Sequence, residues 1–261
     1  VSGMEQPVGY VLNNVKYLNQ FFAWCVEADL LRTAPKITLP KAIKPKGGKQ
    51  QQATKPMKGR PLTDGEFALM KLAVPRACPN HAEAYTRFLQ GVWLSGLRLT
   101  EACNLSWDWE ADFAVDLSGA HPRFKITADG QKSGRDQFTP MTPDFARWLL
   151  ATFPEEDRYG LVFDMPKVPH NVSKDIRAIG REAEVVVVKK KRRNGSTYIK
   201  HASCHDLRRS FGTRWASRVK PAVLKELMRH RDVHVTMQYY VEMETDAIAE
   251  SLWAQSESVG Y

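Results

Sequence analysis

From residue 10 to residue 32 apolar side chains return at helical spacing, with Val11, Val15, Leu18, Phe21, Phe22 and Cys25 on one broad face. One helix cannot bury such a stripe alone, so it belongs to a larger domain. The period then fails. Residues 36–60 carry Pro40, Pro45, Pro56, Gly47-Gly48 and three consecutive glutamines, the composition of an extended linker. Thr63 and Glu66 form a capping box that opens a helix reaching about residue 74. A second helix covers 81–95 with Tyr85, Phe88, Leu89 and Val92 inward, Gly96 ends it, and a short helix follows Thr100.

The period changes next from 3.6 to 2, so 113–117, 123–127 and 137–141 read as three short strands. Thr142-Pro143 starts a helix that ends near 152. Helices return at 173–182, 206–217, 222–228, 233–240 and 245–253, and a β-hairpin with a basic tip is predicted from residue 184. The fold class is therefore mainly α with a small antiparallel β-sheet. The domains are expected at 1–35, a linker at 36–60, and a large domain at 61–261.

Composition adds little until charge is located. The 261 residues are 43% hydrophobic and 26% charged, as in an ordinary globular protein. No apolar run approaches the roughly 20 residues a bilayer demands, and no basic segment followed by an apolar stretch marks a signal peptide. The four cysteines are scattered, which argues against a zinc ribbon or a disulfide framework and fits a reducing compartment. The first residue is Val and the pattern starts in mid-course, as in a piece of a longer protein. Of the net charge of +9, the linker supplies +8 through Lys36, Lys41, Lys44, Lys46, Lys49, Lys55, Lys58 and Arg60, with no acid. A second basic run is Lys189, Lys190, Lys191, Arg192 and Arg193. Solvated tethers read this way, and so do surfaces that touch a polyanion such as nucleic acid.

Four places could carry chemistry. His205 and Arg208, three apart at a helix start, share a face beside free backbone N–H groups and next to Arg209, a good seat for an oxyanion. His230 precedes Tyr239 by nine residues, which puts them on opposite sides of one helix unless the chain breaks between them; Asp232 is a suitable restart cap. In the restarted helix Val233, Met237 and Tyr240 line up as an inward stripe, leaving Tyr239 as the freer hydroxyl. Arg98 sits in a tight connection with Glu101 three residues on, close enough to hold its guanidinium. Lys132 lies on the turn between the second and third strands.

Together these segments resemble the tyrosine recombinase, or phage integrase, family over nearly the whole chain. The run 96–101, Gly-Leu-Arg-Leu-Thr-Glu, is similar to its first box, His205-x-x-Arg208 to its second, and His230 with Tyr239 to its third. The helix over 12–25 resembles the end of the family's core-binding domain. Where the family usually carries Gly before the third-box His, this chain has Arg229.

The resemblance implies a tyrosine recombinase catalytic-domain fold and DNA strand exchange by transesterification. Arg98 and Arg208 would hold the phosphate oxygens, and Tyr239 would attack phosphorus to form a 3′-phosphotyrosyl link. Lys132 would protonate the leaving 5′-oxygen, His205 and His230 would assist, and Glu101 would orient Arg98. That chemistry keeps the phosphodiester energy in the link and implies no ATP, metal or other cofactor. The implied partners are double-stranded DNA, held partly by the basic residues named above and Arg209, and three further copies of the chain, docked through the helix at 245–253. The implied location is the cytoplasm, on the nucleoid. A type IB topoisomerase uses a similar residue set, and a non-catalytic DNA-binding module is the third reading.

Overall fold

The structure, a computed structural model, describes residues 8–37, 59–127, 136–192, 195–230 and 232–241. The chain divides into two compact units, Val1–Lys55 and Pro56–Tyr261.

The first unit is built on α1 (Val8–Glu27). The helix stops five residues before the predicted end at 32. Asp29 takes a left-handed φ of 57°, and the N–H groups of Leu30 and Leu31 turn back to the Cys25 carbonyl at 2.8 and 3.1 Å. This is a C-terminal cap made without glycine. Leu18 and Phe21 of the apolar stripe remain exposed, as does Trp24 beside them.

The second unit opens with α2 (Asp64–Ala77), whose predicted capping box forms: Thr63 Oγ1 accepts from the Glu66 N–H at 3.2 Å and Glu66 accepts from the Thr63 N–H at 3.0 Å. The helix passes the expected stop at 74 because Pro75 lies in its last turn, where its missing N–H costs one bond. After a short 3₁₀ turn, α3 (Ala82–Ser95) ends at Gly96, which is left-handed with φ of 62°. The six-residue α4 (Leu99–Asn104) follows at once.

The period-2 segments become β1 (Phe113–Asp116), β2 (Arg123–Ile126) and β3 (Gln137–Pro140), an antiparallel sheet in sequential order. Its register pairs Val115 with Phe124 and Phe124 with Thr139. Then come α5 (Pro143–Thr152), capped by Thr142, and α6 (Pro169–Glu182), which starts four residues earlier than expected with Pro169 at its first position. The predicted hairpin is β4 (Val186–Lys191) with β5 (Thr197–His201), a second sheet of two strands. Three helices follow: α7 (Cys204–Ala216), α8 (Pro221–Leu227) and α9 (Val233–Val241).

A large apolar cluster joins α2, α3, α5 and α6 to the three-stranded sheet, with Tyr85, Phe88, Phe124, Phe145 and Ile176 fully buried. Each such side chain contributes about 1.5–3 kcal/mol by leaving water. A smaller cluster on α7, α8 and α9 holds Phe211, Leu224, Met228 and Tyr239.

The inward stripe expected on α9 is wrong. Val233 is 40% and Met237 39% exposed, whereas Thr236 is fully buried and Tyr239 only 6% exposed. The helix docks by the side chains that find partners. Thr236 Oγ1 meets His230 Nδ1 at 2.9 Å, and the Tyr239 ring lies over Gly212, where a Cβ would come within 2.5 Å of it. Among the described residues no helix is long and apolar enough to cross a membrane.

Candidate active site

Arg98 is placed by the break between α3 and α4. Gly96 adopts the left-handed conformation at the end of α3, and a Cβ there would strike the Phe211 ring, so glycine is needed both for φ and for room. The next helix begins with Arg98 as its N-cap, and Glu101 reaches back to accept from the Arg98 N–H at 2.8 Å. The same carboxylate takes Arg98 Nη1 at 2.5 Å, so the expected pairing of Glu101 with Arg98 is present.

Arg208 is placed by the start of α7. Asp206 caps that helix, accepting from Ser203 N–H at 3.1 Å and Ser203 Oγ at 2.5 Å. One turn on, the Arg208 side chain is only 4% exposed, against 43% for that of Arg98. Its two terminal nitrogens donate to the carbonyls of Gly96 and Met228, and Glu101 Oε2 lies 3.9 Å from Nη1. Burial, then Arg229 and Arg98, pull the Arg208 pKa down to about 9, which leaves it charged at neutral pH. His205, one turn before it on α7, is exposed. Arg98, His205, Arg208 and Ser203 nevertheless line one cavity of about 340 Å³.

His230 and Tyr239 converge because the helix does break between them. Residue Arg229 takes a left-handed φ of 48° after α8, and Asp232 accepts from the His234 N–H at 2.9 Å as α9 starts. The two rings then stack at 6.1 Å between centroids, tilted by 14°. His230 is neutral: burial, then Arg208, Arg98 and Arg229, push its pKa down to about 3. The expectation that Tyr239 is the more open of the paired tyrosines is corrected, since it is the buried one. Tyr240 donates its hydroxyl proton to the Val219 carbonyl at 2.5 Å.

Arg229 is the residue whose role the sequence did not disclose. The left-handed backbone costs a non-glycine residue about 1–2 kcal/mol, yet arginine stands there. Its Nη2 meets Glu101 Oε2 at 2.9 Å, Nη1 donates to the Leu227 carbonyl at 3.1 Å, and its own carbonyl accepts from Arg98 Nη2 at 2.9 Å. A charged side chain where the family resemblance leads one to expect glycine was the available signal. Burial opposes the charge on Glu101, but Arg229 and the Arg98 N–H outweigh it and hold the carboxyl at about 2. One carboxylate thus faces three guanidiniums. A second cavity of about 600 Å³, lined by Arg98, Glu101, Arg229, His230 and Lys225, opens beside them. An excess of fixed positive charge with planar donors suits an oxyanion.

The remaining expected residues separate. Lys132 lies outside the described residues, as do Lys41, Lys44, Lys46, Lys49, Lys55, Lys58 and Arg193. Lys36, Lys189, Lys190, Lys191 and Arg192 are exposed. Arg60 and Arg209 are not open basic surface. Arg60 pairs with Glu66 and donates to the Val186 carbonyl at 2.9 Å, and Arg209 is buried against Asp206. Each has an acid within reach, so Arg60 is paired though half-exposed and Arg209 is enclosed.

No curated protein matches the chain by sequence. Among solved structures it is similar to the Tn1549 transposon integrase in complex with transposon right end DNA, at 14% identity and a TM-score of 0.52 over 97% of this chain and 81% of that one. It is also similar to the XerA recombinase (17%, TM-score 0.47, 93% and 73% covered) and to a lambda integrase dimer bound to a core site (15%, 0.49, 88% and 75%). The profile of the phage integrase family matches residues 70–246, a span that takes in Arg98, Glu101, His205, Arg208, Arg229, His230 and Tyr239. By that match, and with a fold shared with an integrase over nearly its full length, the chain belongs to the phage integrase family, the tyrosine recombinases.

Proposed function

We propose that this chain is a site-specific DNA recombinase that cleaves and rejoins strands through a 3′-phosphotyrosyl intermediate. The observation that carries the reading is the buried Arg208 fork beside Arg98 and His230, with the Tyr239 ring stacked on that histidine. A phosphodiester repels nucleophiles, and neutralising its two free oxygens is the first requirement for attack. Arg98 and Arg208 supply that charge in planar form. Neutral His230 donates one N–H to a phosphate oxygen while Thr236 engages its other nitrogen. Tyr239 attacks phosphorus, its proton passing to His205. The O–P bond to the 5′-oxygen breaks as Lys132 protonates that oxygen. The reverse steps, with a 5′-hydroxyl from another strand, complete the exchange. No ATP or metal is required, because one phosphoester replaces another.

Double-stranded DNA is the substrate, in keeping with the transposon end bound in the similar integrase structure. Residues 61–261 form the catalytic domain, 36–60 the basic linker, and 1–35 the last helix of a core-binding domain. The tetramer that strand exchange needs would be joined by the segment 245–253, which lies outside the described residues, and its place would be the nucleoid.

The test is a nicked suicide duplex made from the DNA flanking the coding gene. The wild-type chain is expected to trap a covalent adduct and Tyr239→Phe to trap none while still binding. Adduct lost in Tyr240→Phe but kept in Tyr239→Phe names the wrong hydroxyl. Binding without any wild-type adduct overturns the catalytic reading, and relaxation of plasmids lacking the site points to a topoisomerase.

A further inference from the structure

Arg98 is a half-exposed side chain, and two contacts hold it in place: Glu101 on Nη1 and the Arg229 carbonyl on Nη2. The second is Arg229's own carbonyl, and the first uses a carboxylate whose other oxygen Arg229 holds. Glycine could supply the carbonyl. It could not supply the guanidinium that takes Glu101 Oε2, an oxygen that also accepts from the Arg98 N–H and lies 3.9 Å from Arg208.

We propose that Arg229 is a positioning residue of the recombination site, a third guanidinium that pins the Glu101 carboxylate so that Glu101 holds Arg98 in line for the phosphate. The inference rests on the catalytic reading above. Arg229 is itself immobilised: its side chain is 9% exposed, its Nη1 is tied to Leu227, and its guanidinium lies 5.4 Å from the Phe124 ring centroid in the sheet. Among the described residues its Nε has no hydrogen-bond partner, so its bonding runs through its two terminal nitrogens. Packed this way it acts through Glu101 and does not reach out to grip DNA.

Its charge matters as well. With Arg98 and Arg208 it surrounds a single carboxylate, so Glu101 orients the cluster without cancelling it. The left-handed turn at Arg229 also aims two consecutive carbonyls, those of Met228 and Arg229, at Arg208 and Arg98. Side chain and backbone of one residue thereby align both forks that would hold the phosphate.

The experiment measures single-turnover adduct formation and DNA affinity on the same nicked duplex, using the full chain. Arg229→Met is expected to slow adduct formation roughly 10- to 100-fold, the scale of a misplaced catalytic group, with Kd within roughly threefold of wild type. Arg229→Lys should recover part of the rate. Added guanidinium ion should raise the rate of Arg229→Gly, in which the turn is unstrained and the side-chain site vacant. Wild-type rates in both Arg229→Met and Arg229→Gly overturn the inference alone. So does a rate loss matched by equal losses of affinity and thermal stability, with no rescue by guanidinium or lysine. A wild-type chain that binds but forms no adduct overturns the catalytic reading and this inference with it.

Discussion

Arg208 is both buried and charged, with a side chain only 4% exposed. Its two terminal nitrogens donate to carbonyls, and its one acidic neighbour, Glu101 at 3.9 Å, is shared with Arg98 and Arg229, so positive field is left over for a ligand. Lysine has neither the planar fork nor the reach to both carbonyls. Arg208→Lys is therefore expected to reduce adduct formation at least about 100-fold, measured on the suicide duplex. Glu101 is the opposite case, a lone acid among three arginines. Glu101→Gln should lower stability by about 3 kcal/mol in chemical denaturation, since it leaves buried guanidiniums without their partner.

The same cluster sets an acid limit. Glu101 is held at about 2 against an ordinary 4.5, so its stabilisation is present above about 4.5 and lost as pH falls toward 2. His230 is held at about 3 against 6.5; the unfolded chain takes a proton there that the folded one refuses, so stability also declines as pH falls from 6.5. Both act in one direction. The thermal midpoint should fall between pH 6.5 and 4.5, and His230→Asn should flatten that decline.

At the scale of elements, α9 shows how local pattern and packing part company. Its apolar residues Val233 and Met237 suggest one buried face, but the helix turns Thr236 and Tyr239 inward because the imidazole of His230 and the bare backbone of Gly212 offer them better partners. Gly212→Ala should push the Tyr239 ring aside. The expected result is a loss of about 1–3 kcal/mol of stability and a larger fall in adduct formation than in DNA affinity. Tyr240→Phe should cost only about 1 kcal/mol, the bond to Val219, and leave the adduct intact. Where elements depend on short-range chemistry they were legible in the sequence. The Thr63 box, the Thr142-Pro143 start, the Gly96 stop and the three strands all lie within a residue or two of their expected positions. The end of α1 was not legible, because its cap uses Asp29 where glycine is usual.

For the whole molecule the question is where charge ends up. Arg60 and Arg209 look like part of the same basic surface as Lys189–Lys191, yet the fold pairs Arg60 with Glu66 and buries Arg209 against Asp206. The exposed tip of the β4–β5 hairpin is a different matter: Lys189, Lys190, Lys191 and Arg192 face solvent, with Arg192 over the Tyr198 ring. Replacing the three lysines by glutamine should reduce the slope of log affinity against log salt by about 0.9 for each phosphate that is no longer neutralised. An unchanged slope means the hairpin does not lie on DNA.

Read without coordinates, the chain already announces its elements, the order of its boxes, and Arg98, Glu101, His205, Arg208 and His230 as a group worth placing together. Caps, turns and periodicity depend on neighbours within a few residues, so they are written locally. Which charges remain available and which tyrosine is enclosed emerge only when the chain is packed. The closure of Arg229 on Glu101, from 128 positions away, belongs to the same class. Those outcomes depend on side chains remote in the chain meeting in a dry interior, where an ion must find its partner and no local rule names which one that will be.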